Sequence, residues 1–237
     1  MISQNDIFKL LYRIKCMDFN FFKTEFMGDS NIGLYGFATN DYCFLGRTPR
    51  KRILNNMKKA LGVDVLTSTI SGSDLVGLFS AGNNNGVLVT SIVYDYELKK
   101  IKEMFDINVE VLKSKETALG NLILCNDKGC IISKSLKRFK GQIEDILNCD
   151  VEIGKVSKLE IVGSAALANN SGCLCHREAS EKEMENIEHI LGVKADVGTV
   201  SYGSPFVKSG LIVNDNGVVF SNSSTGAEIG RVEEVFK

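Results

Sequence analysis

Apolar and polar positions along the chain fall into a pattern that recurs five times. Four polar turns mark it: Asn83-Asn84-Asn85-Gly86, Asn126-Asp127-Lys128-Gly129, Asn169-Asn170-Ser171-Gly172 and Asn214-Asp215-Asn216-Gly217 share their length and their Asn and Gly ends. Each is flanked by apolar runs. Asn, Asp and Gly tolerate a left-handed backbone, so each turn predicts a tight β-hairpin. Thr39-Asn40-Asp41-Tyr42 is a fifth, degenerate copy without the Gly. Counting back nine residues from the last turn position gives Gly33, Gly77, Gly120, Gly163 and Lys208, at intervals of 44, 43, 43 and 45 residues. An internal period of this size is the mark of a repeated supersecondary unit.

Beyond each hairpin the apolar spacing changes to three and four. Leu54, Met57 and Leu61 lie 21, 24 and 28 residues after Gly33, and Leu98, Ile101 and Phe105 keep those offsets from Gly77. Met184, Ile187 and Leu191 repeat them after Gly163, as do Ile229, Val232 and Phe236 after Lys208. The third copy is one residue short, with Ile143 and Leu147 in the equivalent places. Such spacing predicts an amphipathic helix in every copy. Ser180 ahead of Glu181 and Glu183 reads as an N-cap, and Gly62 and Gly192 as left-handed C-terminal residues. A third strand then follows at 63–68, 107–112, 151–156 and 193–200. The unit is strand, hairpin, strand, helix, strand, with one sheet face covered by the unit's own helix and the other needing a neighbour.

The ends of the pattern complete each other. The fifth copy stops after its helix at Phe236, and Phe21-Phe22-Lys23-Thr24-Glu25-Phe26 is an unassigned apolar stretch ahead of the first. If that stretch supplies the missing strand, the array closes into a ring without exposed sheet edges. An open stack would instead want polar capping units. The expectation is therefore an α/β protein with one domain of five repeats over residues 21–237. Residues 1–20, apolar but interrupted by Asp6, Lys9, Arg13, Lys15 and Asp18, read as an amphipathic or disordered extension or as a start placed too early, and as a poor signal peptide.

Composition narrows the class further. Among 237 residues, 44% are apolar and 24% charged, which excludes a disordered chain, and no apolar run approaches the roughly 20 residues of a membrane span. Lys plus Arg number 28 against 29 Asp plus Glu, so any grip on nucleic acid needs a local basic patch. Seven cysteines leave one unpaired and fit a reducing, cytoplasmic setting.

Several segments carry a family resemblance: Phe26, Ile32-Gly33-Leu34-Tyr35-Gly36-Phe37-Ala38, Ala118-Leu119-Gly120-Asn121 into Cys125-Asn126-Asp127, Ile161-Val162-Gly163-Ser164, Gly210-Leu211-Ile212-Val213-Asn214-Asp215 and Val232-Glu233-Glu234-Val235-Phe236. In this order the chain resembles the translation initiation factor 6 family in its archaeal form, from about Phe21 to Lys237. It departs in its N-terminal arm and in lacking the long C-terminal tail of eukaryotic members. The resemblance implies a pentein fold, a five-bladed α/β propeller with pseudo-fivefold symmetry. It implies binding to the large (50S) ribosomal subunit near ribosomal protein uL14 and the sarcin-ricin loop, which blocks joining of the small (30S) subunit. It also suggests a part in large-subunit biogenesis, a chain monomeric when free, and no cofactor, metal or catalytic residue.

The docking end implied by the resemblance is formed by the segments entering each unit's first hairpin strand: Gly33 and Leu34, Gly77 and Leu78, Gly120 and Asn121, Gly163 and Ser164, and Lys208, Ser209 and Gly210. One offset repeated in every unit must lie on one rim. The competing role for the glycines is to let strands crowd at the axis. Asn121, polar between Leu119 and Leu122, needs solvent or a partner. The Asn-rich turns lack the carboxylates of a calcium loop. Basic residues gather at Arg47, Arg50, Lys51, Arg52, Lys58 and Lys59 and at Lys134, Lys137, Arg138 and Lys140, while the fourth helix carries Glu181, Glu183, Glu185 and Glu188. That basic sector is either an RNA-facing surface or an ordinary solvated one.

Pentein folds also carry guanidine-modifying enzymes that use Cys, His and carboxylates. His189 falls on a helix surface, and Cys175 and His176 are adjacent on a strand and so face opposite ways, a poor nucleophile and base pair. Cys173 shares the face of Cys175, which reads as core packing. Walker A and Rossmann patterns are absent from the sequence.

Overall fold

The computed structural model describes residues 19–237, and residues 1–18 of the expected extension lie outside them. The described chain builds five three-stranded sheets of one topology. In each, the second hairpin strand is central, antiparallel to the first and parallel to the third. The sheets comprise Gly36–Ala38, Tyr42–Leu45 and Asp64–Thr67; Ser80–Gly82, Gly86–Thr90 and Asn108–Leu112; Ile123–Cys125, Gly129–Ile132 and Asp150–Ile153; and Ala166–Ala168, Gly172–His176 and Lys194–Gly198. The fifth joins Leu211–Asn214 and Gly217–Ser221 to Asn20–Thr24. That last strand runs parallel to its neighbour, with Asn20 opposite Gly217 and Thr24 opposite Ser221. The N-terminal stretch thus completes the C-terminal unit, beginning one residue earlier and ending two earlier than its apolar pattern suggests. The sheets stay separate, and none closes on itself as a barrel.

Among the described residues the five helices of eight residues or more are Lys51–Leu61, Asp95–Met104, Lys140–Leu147, Glu181–Leu191 and Gly226–Phe236. Ser180 accepts from the Glu183 N–H, and Gly62 and Gly192 take φ of 67° and 61°, as the sequence indicates. The third helix starts late, behind the 3-10 turn Lys134–Phe139.

Each helix covers more than its own sheet. Ile101 of the second helix and Phe105 just past its end pack with Phe44 of the first sheet, and Ile143 and Leu147 of the third helix with Leu88 of the second. Ile187 and Leu191 meet Leu124 and Ile131 of the third sheet, and Val232 and Phe236 meet Leu174 of the fourth. Met57 and Leu61 of the first helix meet Ile212 and Val219 of the fifth sheet. The described residues therefore form five apolar cores, each lying between a unit and the one before it, including between the first unit and the fifth. Burying apolar side chains from two units in each core makes no unit's apolar surface self-sufficient.

Candidate docking end and the two rims

The hairpin turns gather at one end. Their geometry corrects the left-handed turn expected from composition: neither the Asn nor the Gly residues of these turns take positive φ. Instead the first Asn folds its carboxamide over the turn. Asn126 Oδ1 accepts from the Lys128 and Gly129 N–H groups at 2.9 and 3.0 Å, and Asn83, Asn169 and Asn214 do the same in their units. The same side chains then cross to the next unit. Asn126 Nδ2 donates to Asn169 O and Leu191 O, and Asn214 Nδ2 to Thr39 O and Leu61 O. In the first unit Thr39 replaces this Asn, and the Tyr42 hydroxyl donates to Asn83 O at 2.8 Å instead.

The second turn residue forms a relay through all five units. The N–H of Asn40 donates to Asn84 Oδ1, Asn84 to Asp127, Asp127 to Asn170, Asn170 to Asp215 and Asp215 back to Asn40, at 2.9 to 3.0 Å. The closing Gly is required by a neighbour. A Cβ on Gly129 would stand 2.0 Å from Ile190 O, and on Gly172 1.9 Å from Val235 O. Sequence reasoning missed these links. The signal was present, since a hairpin alone has no need of Asn or Asp at the second position in all five copies.

The opposite end carries the residues that the resemblance singles out. Short helical turns, Ile32–Leu34, Val76–Phe79, Leu119–Leu122, Val162–Ala165 and Val207–Gly210, enter the first strands. Gly33, Gly77, Gly120, Gly163, Lys208 and Gly210 are buried. A Cβ on Gly33 would lie 1.8 Å from Lys208 O, on Gly77 2.3 Å from Gly33 O, on Gly120 1.9 Å from Gly77 O, and on Gly163 2.4 Å from Gly120 O. The glycines therefore serve crowding at the axis. Leu34, Leu78, Asn121, Ser164 and Ser209 are half-buried, one beside each buried position. Leu119 and Leu122 are core, and the Asn121 carboxamide has no hydrogen-bond partner among the described residues.

Tight loops surround these turns. Phe26 bridges to Asp29, Ile70 to Ser73, Val156 to Leu159 and Val200 to Ser204, around residues of positive φ such as Ser71 and Gly72. These loops shorten the third strands to less than their apolar pattern predicts. In three units a glutamate in the first helical turn holds the loop. Glu97 accepts from Thr69 Oγ1 and the Ser71, Gly72 and Tyr94 N–H groups at 2.6 to 3.1 Å. Glu228 repeats this on Thr199, Tyr202, Gly203 and Thr225, and Glu183 holds Lys158 and Ser180. Burial opposes the charged form of each carboxylate, but the donors outweigh it and hold all three below the ordinary carboxylate value. The first unit has Ile53 at this offset. Its loop and helix instead border a cavity of about 430 Å³ lined by Met27, Tyr35, Arg47, Pro49, Arg50 and Ile53.

The two ends differ in what they expose. Met27, Ile92, Tyr94, Tyr96, Tyr202 and Phe206 are large exposed side chains in the loops or at helix starts of this second end, with Tyr202 84% exposed. Arg50 and Arg52 are exposed beside them, and Arg47 pairs with Asp74 at 3.0 Å. The turns of the asparagine rim expose no large apolar side chain among the described residues, while Phe21 on the strand beside the last turn is 58% exposed.

The suspected nucleophile and base stand apart. Cys173 and Cys175 are buried with sulfurs 3.8 Å apart, while the His176 ring packs edge-on against Phe206 and its Nδ1 accepts from the Glu178 N–H. His189 is exposed. Burial pushes the Cys43 thiol up to about 12. No group of three or more metal-ligating side chains is present among the described residues.

Known proteins resemble this chain along most of its length. The profile of the eIF-6 family matches residues 21–235. Translation initiation factor 6 of Methanococcus maripaludis is 39% identical over 218 residues, covering 90% of this chain and 96% of that protein. The Methanocaldococcus jannaschii protein of the same name is 40% identical over 215 residues, covering 88% and 94%, and that of Saccharolobus islandicus 37% over 218, covering 91% and 98%. The chain belongs to the eIF-6 family.

Proposed function

We propose that the chain is a translation initiation factor 6 that binds the large ribosomal subunit and keeps the small subunit from joining it. The observation that carries this reading is the family match across residues 21–235, with relatives of that name covered almost end to end. The activity is one of binding and obstruction, with no bond made or broken. Residues 20–237 act as one pentein domain closed into a ring, preceded by an extension at 1–19, and the factor works in the cytoplasm as a monomer when free. No helix among the described residues is long and apolar enough to cross a membrane.

The docking face is the end that carries Leu34, Leu78, Asn121, Ser164 and Ser209. The exposed tyrosines and Phe206 around them favour a protein partner, taken to be uL14, since aromatic side chains anchor protein interfaces. Arg47, Arg50 and Arg52 at the same end suit neighbouring RNA phosphates, those of the sarcin-ricin loop. Sedimentation of separated large and small subunits with added protein tests the reading. Loss of joined ribosomes in proportion to bound protein is expected, and unchanged joining at saturation would refute it.

A further inference from the structure

Four units place a glycine at the axis and the fifth places a lysine. Lys208 is only 7% exposed, and its side chain crosses from the fifth unit to the third, where Nζ donates to Gly120 O at 2.6 Å. An ammonium has three donors. Gly120 O is its one hydrogen-bond partner among the described residues, and no carboxylate lies within ion-pair distance. The ammonium borders an axial cavity of about 50 Å³ whose wall comes from the first four units, including Phe37, Ala81, Ile123, Leu124, Cys125 and Leu167. Ala38, Gly82, Cys125 and Ala168 continue this wall into the mouth ringed by the asparagine turns.

A buried charge is ordinarily paired or fully hydrogen-bonded, because removing it from water is costly. Here the carboxylates nearest the mouth are engaged elsewhere. Asp127 accepts from Asn84 and Asn170, and Asp215 from Asn170 and Asn40. Desolvation draws the Lys208 ammonium down to about 8, which still leaves it protonated at neutral pH. The cavity exceeds the roughly 10 to 15 Å³ needed to hold a single water-sized group. A small anion fits both the size and the missing charge.

We propose that the axial cavity is a binding site for one small monovalent anion of the halide class, held by the Lys208 ammonium. The anion completes the charge balance at the point where the ring's symmetry is broken. Bound there, it stabilises the folded chain by mass action.

The test uses the whole protein and bromide as the probe. Thermal unfolding is followed in sodium bromide and in sodium gluconate of equal ionic strength, for the wild type and for Lys208→Met. The midpoint of the wild type rises by about 3 to 5 °C for each tenfold increase in bromide above its dissociation constant. Lys208→Met loses this bromide-dependent rise relative to gluconate. An equal response of both proteins would overturn the proposal. If Lys208→Met does not fold, crystals of the wild type grown in bromide decide the matter by anomalous scattering. Bromide within hydrogen-bonding distance of Nζ supports the site, and water alone at Nζ refutes it.

Discussion

The two ends of the molecule are made from the same five repeats yet present opposite chemistry. At the asparagine rim, each turn donates to its neighbour and accepts from the other side, so the polar groups are directed sideways into the ring. At the loop end, half-buried side chains such as Asn121 and exposed ones such as Tyr202 are directed outward. The difference teaches that repetition does not by itself mark a binding surface. The most regular residues of this chain hold units together, and the less regular ones beside them stay partly open at the surface.

Substitutions at each end separate the two roles. The largest loss of stability is expected from Gly129→Ala, whose Cβ would meet backbone at 2.0 Å. A backbone cannot yield as a flexible side chain does, so urea unfolding should show a loss of about 3 kcal/mol or more. Asn126→Ala comes next. It removes two acceptor and two donor contacts from a buried side chain, and leaves the Asn169 and Leu191 carbonyls short of a donor. About 2 to 3 kcal/mol is expected, with large-subunit binding unchanged per folded molecule. If Asn126→Ala weakened binding without lowering stability, the division between the rims would fail.

Glu228→Gln is expected to cost about 1 to 2 kcal/mol at neutral pH, since hydrogen bonds to a charged acceptor are the stronger kind. It also sharpens the comparison through pH. Glu97, Glu183 and Glu228 are held below the ordinary value of 4.5, so their stabilisation is complete above that pH and fades as pH falls through their lowered values. Acid unfolding of Glu228→Gln should therefore be less steep than that of the wild type, and an identical slope would remove the glutamate clamp from the account. The smallest effect on stability belongs to Asn121→Ala, within about 0.5 kcal/mol, because its side chain makes no internal hydrogen bond to lose. Its effect should appear instead as a tenfold or greater loss of large-subunit affinity in a binding titration.

Much of this architecture was legible in the sequence because it rests on local pattern. The hairpins, the helices and an N-terminal strand, expected at Phe21–Phe26 and found at Asn20–Thr24, follow from apolar spacing and turn residues, and the helix ends from Ser180, Gly62 and Gly192. What escaped was set by neighbours. The need for Gly86 or Gly129 comes from a helix end in the next unit, which turn chemistry cannot reveal. The loops held by Glu97 and Glu228 join residues about 26 positions apart, and the apolar pattern ran straight through them. The same holds at the loop end. A shared offset correctly placed Gly33, Gly77, Gly120 and Gly163 on one rim, but only packing shows that they are buried and that Leu34, Leu78 and Asn121 are partly open.

The most direct test of the central claim compares three proteins in the subunit-joining assay: wild type, Asn121→Arg at the loop end and Asp41→Arg at the exposed tip of an asparagine-rim turn. All three should fold with similar unfolding midpoints. The account predicts that wild type and Asp41→Arg block joining at the same concentration, while Asn121→Arg leaves the subunits free to associate. Full blocking by Asn121→Arg together with loss of blocking by Asp41→Arg would place docking on the opposite rim and contradict it.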